Sequence, residues 1–398
     1  MAAPVRIDPL SRRSSAARTA RRAVLAAAVA IAASGGGHAQ ASTLDFTAAE
    51  RATIASFGPW PPAPTRDASN RWEGRPSVIA YGRRLFADAG LSAGGSLSCA
   101  SCHDPRRAFQ DGRPVAEGRG AGVRNVPTLL DVADRRWFGW DGAHDSLWAA
   151  SLAPLLDALE MAGHRDALAA RVRADGARRA AYRAAFGAPP PADDERLVVH
   201  LAKALAAYQA SLRSPRTSFD RFRDALVRGD ARTMARYPLA AQRGLRLFIG
   251  EARCHVCHAG PAFTNDEFAD VGVPFFTASG ADAGRHGGLH KLLNGPLNRL
   301  GPHNDAGEAA DPRALLTRHL KIEPRHFGEL RVPGLRQLAR TAPYMHNGSL
   351  ASLEDVVRHY DRLDEERLHA DGERILRRLN LRADQAADLV AFLRTLSD

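Results

Sequence analysis

The sequence predicts a mostly α-helical protein with few strands, built as two similar helical halves, and three observations predict it. Gly82-Arg83-Arg84-Leu85-Phe86 in the first half is matched by Gly244-Leu245-Arg246-Leu247-Phe248 in the second. Each segment leads into a Cys-x-x-Cys-His run, Cys99 to His103 and Cys254 to His258. Each half then closes with an amphipathic helical pattern, Leu197 to Leu212 and Gln385 to Leu396, so a duplicated unit is expected.

The chain begins differently. Arg12, Arg13, Arg18, Arg21 and Arg22 precede an Ala/Val run from Ala23 to Ala33, and Ala39-Gln40-Ala41 offers a small-x-small cleavage site, the pattern of a signal peptide over residues 1–41. That run is about eleven residues, whereas a bilayer span needs about twenty. A periplasmic location follows, with cleavage near Ala41 and no membrane span in the mature chain. The net charge of +11 invites a nucleic-acid reading, but residues 1–41 carry six Arg and one Asp, and their loss leaves +6. The remaining Arg residues are scattered among Asp and Glu without a dense basic run, so no nucleic-acid partner is expected.

The 398 residues, 45% hydrophobic, are enough for two domains with buried cores. We place them at 42–235 and 236–398, with the boundary after Phe219-Asp220-Arg221-Phe222 and before the helix that leads into Cys254. Between Gly163 and Ala207 the pattern is helical, broken by a Pro189-Pro190-Pro191 loop. From Thr277 to about Pro312 the chain is rich in Gly, Asn, Asp and His with little periodicity, the signature of a long loop. His286, His290 and His303 in it are assigned no role.

Four cysteines in an exported protein would ordinarily suggest two disulfides. Here each pair is followed directly by His, which is the c-type haem attachment signature. In one helical turn the sulfurs sit at i and i+3 and the His at i+4, all on one side. Cys99 and Cys102 with His103, and Cys254 and Cys257 with His258, are therefore expected to hold two covalent haem c groups. Each domain becomes a cytochrome c-like helical unit with one haem, whose iron takes its proximal ligand from the motif. The sixth position then decides between electron transfer and peroxide chemistry.

Around the two motifs stand Arg124-Asn125-Val126-Pro127-Thr128, Trp140-Asp141-Gly142, Glu160-Met161 and Thr341-Ala342-Pro343-Tyr344-Met345-His346-Asn347-Gly348-Ser349-Leu350. In that order they resemble the bacterial di-haem cytochrome c peroxidase and MauG family, from about Pro76 to the C-terminus. The resemblance implies that Glu160 is the distal acid over a peroxide-binding haem and that Trp140 lies between the haems. It implies that Asn125, Thr341 and Pro343 supply oxygen ligands to a calcium ion. On residue type alone, the favoured readings are a helix cap for Glu160, a core residue for Trp140, and turn residues for Asn125 and Thr341.

Tyr360, fourteen residues after His346, matches the position that is Met in the peroxidase branch and Tyr in the MauG branch. Ser352 is placed to cap a helix with Glu354 and Asp355 in its first turn, and Leu353, Val356, Val357 and Tyr360 form one apolar stripe. The resemblance thus implies a second haem held by His258 and Tyr360, hydrogen peroxide as oxidant, and MauG-like oxidation of a partner protein. Two alternatives stay open: a cytochrome c peroxidase using a small cytochrome or cupredoxin as donor, and a non-enzymatic electron-transfer cytochrome. The chain departs from the family pattern in having no His from Asp104 to Ala143, Ala149-Ala150-Ser151 where the family often has Gln, and no Trp just before Cys254.

Overall fold

Two helix crossings organise the molecule, and at each stands a glycine because a side chain would not fit. The computed structural model describes residues 43–274, 276–277, 280–364 and 375–397, so the signal-peptide expectation lies outside the described residues. Helix α1 covers Ala48–Ser56, α2 Pro76–Phe86, α3 Cys99–Cys102, α4 Leu147–Leu156, α5 Arg165–Ala174, α6 Gly176–Phe186 and α7 Asp194–Ala210. Then come α8 Ser218–Arg228, α9 Ala231–Met234, α10 Leu239–Ile249, α11 Gly284–Asn294, α12 Pro312–Arg318, α13 Leu353–Asp361 and α14 Ala383–Arg394.

Helix α2 packs on α7, and α10 packs on α14. A Cβ on Gly82 would lie 2.0 Å from the Ala204 carbonyl oxygen, and one on Gly244 would lie 1.9 Å from that of Asp388. Only a residue without a Cβ lets the backbones approach this closely. The repeated Gly-x-Arg-Leu-Phe segments are therefore repeated crossings. Leu85 and Phe86 follow Gly82 into one core, Leu245 and Phe248 follow Gly244 into another. The two closing helices begin earlier than their apolar stripes because polar residues cap them. Asp193 accepts from the Arg196 amide at the start of α7, and Gln385 caps the Arg382 amide at the start of α14.

The first core gathers Val78, Leu85, Phe86, Trp148, Leu152, Leu201 and Leu205. The second is aromatic: Phe57, Phe219, Phe248, Phe263 and Phe392 pack together, with Phe57 stacked on Phe263 at 4.7 Å. Each such ring removed from water contributes on the order of 2 kcal/mol. This core also draws in Phe46, Ile54 and Phe57 from the start of the described chain and Phe222 from α8, all from before residue 236. Trp137 and Trp148 are core residues, 6% and 0% exposed.

The stretch from Thr277 to Pro312, expected to be a loop, contains the eleven-residue helix α11. Gly284, Gly287 and Gly288 weaken its intrinsic helix propensity, but tertiary contacts override the sequence signal. Leu289 and Leu292 are buried, and a Cβ on Gly288 would lie 2.1 Å from the Asp141 carbonyl oxygen. The buried Arg285 guanidinium donates to the Gly142 carbonyl at 2.8 Å and lies over the rings of Phe268 and Trp137 at 4.0 and 4.7 Å. Helix α11 is thus a brace behind Trp140-Asp141-Gly142. Among the described residues strands are few and short: Phe268–Ala269 pairs antiparallel with Leu330–Arg331, and Phe276–Thr277 with Gly280–Ala281. No helix among them is long and apolar enough to cross a membrane.

Candidate functional site

Cys99 and Cys102 occupy one turn of helix opened by a Ser98–Ser101 capping box, and the His103 amide closes it on the Cys99 carbonyl at 2.8 Å. The His103 ring points its Nδ1 at the Phe109 carbonyl oxygen, 2.9 Å away. The second site repeats this plan: the His258 amide bonds the Cys254 carbonyl at 2.9 Å, and His258 Nδ1 lies 3.0 Å from the Phe263 carbonyl oxygen. A donor bond from Nδ1 to a carbonyl fixes the tautomer and leaves Nε2 as the ligating nitrogen. Phe109 and Phe263 adopt φ of 61° and 55°, and Ala108 φ of 55°. Non-glycine residues in this left-handed region cost about 1–2 kcal/mol each, so the surroundings hold these carbonyls in place against local preference.

The four cysteines stand as thiols, not disulfides. Burial pushes Cys99 and Cys254 up to about 12 and raises Cys102 as well. Two thiols at i and i+3 beside a half-buried, tautomer-fixed imidazole fit thioether attachment of haem, with His103 and His258 able to hold its iron.

Glu160 lies on the turn that follows α4. Its amide bonds the Asp157 carbonyl at 3.2 Å, and its own carbonyl accepts from the Arg119 amide at 3.2 Å. The neighbouring Leu159 carbonyl accepts from Gly120 at 3.0 Å, so the turn is stitched to residues 116–122. Gly118 permits this approach, since a Cβ there would lie 2.5 Å from the Leu159 carbonyl oxygen and 2.8 Å from the Glu160 Cα. The same segment reaches the first cysteine pair, with Cys102 Sγ 3.9 Å from the Glu117 carbonyl oxygen. Glu160 is accessible to solvent on its turn. Even so, the protein crowding its carboxyl and the nearby charge of Asp157 push its pKa up to about 7. In return, its negative charge helps to raise both Cys99 and Cys102. The structure therefore brings Glu160 to the first site and leaves its carboxyl able to exchange a proton near neutral pH.

Trp140 is half-buried, and its indole Nε1 donates to the Asn125 carbonyl at 2.8 Å. Its own carbonyl accepts from the Arg331 amide at 2.8 Å. The Asn125 amide in turn donates to the His346 carbonyl at 2.6 Å, and Asn125 Nδ2 to the Arg113 carbonyl at 2.7 Å. Gln110 Nε2 reaches the Ala342 carbonyl at 2.7 Å, and a Cβ on Gly348 would lie 2.2 Å from the Pro114 Cα. Residues 110–125 and 341–348 thus form one seam, with Asn125 on one side, Thr341 and Pro343 on the other, and Trp140 hung from it. Thr341 Oγ1 bonds the Leu338 carbonyl at 3.2 Å.

Tyr360 lies in α13, which opens with a Ser352–Asp355 capping box as its sequence requires. The phenol is half-buried. Burial first, then the thiols of Cys254 and Cys257, raise its pKa above the ordinary tyrosine value, so the structure brings Tyr360 to the second cysteine pair. His359 turns away, its Nε2 2.7 Å from the Val271 carbonyl oxygen.

Two structural supports were not legible as such. Arg124 clamps the Trp140 loop, reaching Asp141 at 2.8 Å and Asp282 at 2.6 Å, and both carboxyls are held below their ordinary range by it. Gly118 positions the Glu160 turn. The run Glu117-Gly118-Arg119-Gly120 was the available signal, since closely spaced glycines mark close backbone approach.

A family model described as di-haem cytochrome c peroxidase matches residues 76–230. The chain is 33% identical over 323 residues to the methylamine utilization protein MauG of Methylorubrum extorquens, covering 81% of this chain and 78% of that protein. It is 32% identical to the cytochrome-c peroxidase IdrP1 of Denitromonas iodatirespirans, over 89% of this chain and 90% of that one. Among solved structures it is similar to a MauG-like protein associated with microbial copper homeostasis, with a TM-score of 0.63 and 28% identity, covering 86% of this chain and 96% of that chain. It is also similar to the diheme peroxidase BthA of Burkholderia thailandensis E264, with a TM-score of 0.64 and 25% identity, covering 84% and 89%.

Proposed function

The chain belongs to the di-haem cytochrome c peroxidase and MauG family of oxidoreductases, and from that premise we propose that it uses hydrogen peroxide at its first Cys-x-x-Cys-His site to oxidise a partner protein. The observation that carries this reading is the Glu160 carboxyl, brought to Cys99 and Cys102 with a pKa of about 7. Cys99, Cys102 and His103 would hold a haem that would supply the binding of peroxide and the redox chemistry of its cleavage. Glu160 takes a proton from one peroxide oxygen and returns it to the other. The 116–122 segment fixes the backbone of the Glu160 turn by hydrogen bonds, so the point from which the carboxyl reaches is set by the fold.

Tyr360 and His258 would hold the second haem. Burial disfavours an ionised phenol there, so a phenolate at this position needs a cation beside it, which a ferric iron provides. An anionic oxygen ligand stabilises higher oxidation states and lowers the reduction potential relative to a Met ligand. Trp140, anchored at the Asn125 carbonyl, serves as the stepping stone for electrons between the sites. Oxygens of Asn125, Thr341 and Pro343 would suit a calcium ion, a hard cation, along the seam. The two sites belong to N- and C-terminal haem units, the second completed by Phe46, Ile54, Phe57 and Phe222 from before residue 236, in the periplasm after removal of the signal peptide.

The alternative within the family is a peroxidase fed by a small cytochrome or cupredoxin. Tyr360 favours the first reading. Steady-state turnover of peroxide with reduced cytochrome c separates them: the Tyr360 reading expects poor turnover, and rapid turnover would make the chain a peroxidase of the other branch.

A further inference from the structure

Away from both cysteine pairs, α6, the start of α7 and the segment before α2 enclose a cleft of about 430 Å³. Its floor is aromatic. Trp72 meets His200 edge-on at 4.5 Å and Phe186 at 4.8 Å, and the Tyr182 hydroxyl is hydrogen-bonded to His200 Nδ1. Burial, reinforced by Arg196, Lys203 and Arg71, lowers His200 to about 4, so the imidazole is neutral at physiological pH and adds no charge.

The rim is cationic. The exposed side chains of Arg71, Arg75 and Arg196 line it. Arg71 lies over the Trp72 ring at 4.6 Å, and its Nε is 3.8 Å from Asp305. Asp305 is itself engaged with the buried Lys203 ammonium at 2.7 Å. Arg75 and Arg196 have no carboxylate partner among the described residues, and no carboxylate lines the cleft. Its field is therefore positive, with Asp305 offset by Lys203 and three guanidiniums in excess.

The cleft is also preformed. Pro189 and Pro191 build one wall, and Arg173 pins that loop, donating to the Pro191 carbonyl at 2.9 Å, the Ala192 carbonyl at 2.6 Å and the Asp194 carboxylate at 2.6 Å. A rigid wall reduces the ordering cost of binding. An apolar, aromatic floor with a few convergent polar groups is the usual make-up of a small-molecule site, and guanidiniums are suited to carboxylate oxygens.

We propose that this cleft binds a small aromatic carboxylate, its ring against the partly exposed Phe186 and His200, which the buried Trp72 and Tyr182 back, and its carboxylate at Arg75 and Arg196. The test uses the haem-loaded full chain and benzoate as probe, with affinity read by calorimetry or ligand-observed NMR. Saturable binding with one benzoate per chain is expected, much tighter than acetate, because acetate keeps the charge and loses the ring. The double variant Arg75→Gln with Arg196→Gln should weaken benzoate by about tenfold or more, the scale of losing charge-assisted hydrogen bonds. Arg75→Lys with Arg196→Lys should recover part of the affinity, because the positive field returns. Three results would overturn the proposal: no saturation by benzoate, equal affinity for benzoate and acetate, or unchanged affinity in a double Gln variant whose circular dichroism matches the wild type.

Discussion

The two Cys-x-x-Cys-His sites share one half of their construction and differ in the other. Both set a helix crossing on a glycine, both close a turn from His to the first Cys, and both aim His Nδ1 at a strained phenylalanine carbonyl. What approaches from elsewhere is not repeated. A carboxyl with a pKa near neutrality comes to the first pair, a half-buried phenol with a raised pKa to the second. Duplication preserves the attachment machinery, and chemistry diverges through the groups that long-range folding delivers to each copy.

The largest expected break in that contrast comes from Glu160→Gln. Removing the proton acceptor should slow the reaction with peroxide by about 10²- to 10⁴-fold, measured by stopped-flow absorbance, while haem content is unchanged. The wild-type rate should also rise with pH through about 7, because the raised pKa keeps Glu160 protonated below that value and only the carboxylate can accept a proton. The variant should lose this step. An unshifted pH profile in the variant would remove Glu160 from its role.

Next in size is the test of the shared half. Gly82→Ala and Gly244→Ala each force a Cβ within about 2 Å of a carbonyl oxygen, an overpacking that should cost about 3 kcal/mol in denaturant unfolding. Comparable losses are expected at both crossings, and tolerance at one would show that the crossings are not equivalent. Tyr360→Phe should change the optical and paramagnetic resonance spectra of one haem only. If both signals move, or neither does, Tyr360 does not distinguish the sites. The smallest effect belongs to Trp140→Phe, which deletes the bond to the Asn125 carbonyl at a cost of about 1 kcal/mol. It should slow electron equilibration between the sites while leaving the initial peroxide reaction unchanged, as double-mixing kinetics would report.

Much of this was legible along the chain because it is local. Ser352, Glu354 and Asp355 announce the cap of α13, and the apolar stripe placing Tyr360 follows from a 3.6-residue period. Helix α11 was missed because its glycines argue against a helix and its support comes from Asp141, Gly142, Trp137 and Phe268, which no local window contains. The same holds for the Arg124 clamp, whose partner Asp282 lies 158 residues away.

By itself, then, the sequence determined the two attachment sites, since sulfurs at i and i+3 and an imidazole at i+4 are aligned by the geometry of a single turn. It also announced a duplicated unit, in two segments that differ at one residue of five. Only the tertiary structure decided that Glu160 lies near enough to Cys99 and Cys102, and Tyr360 to Cys254 and Cys257, for their charges to be felt. These juxtapositions arise from packing between segments far apart in the chain, where the approach is set by which backbones can touch, as at Gly118, and not by the spacing of the residues that meet.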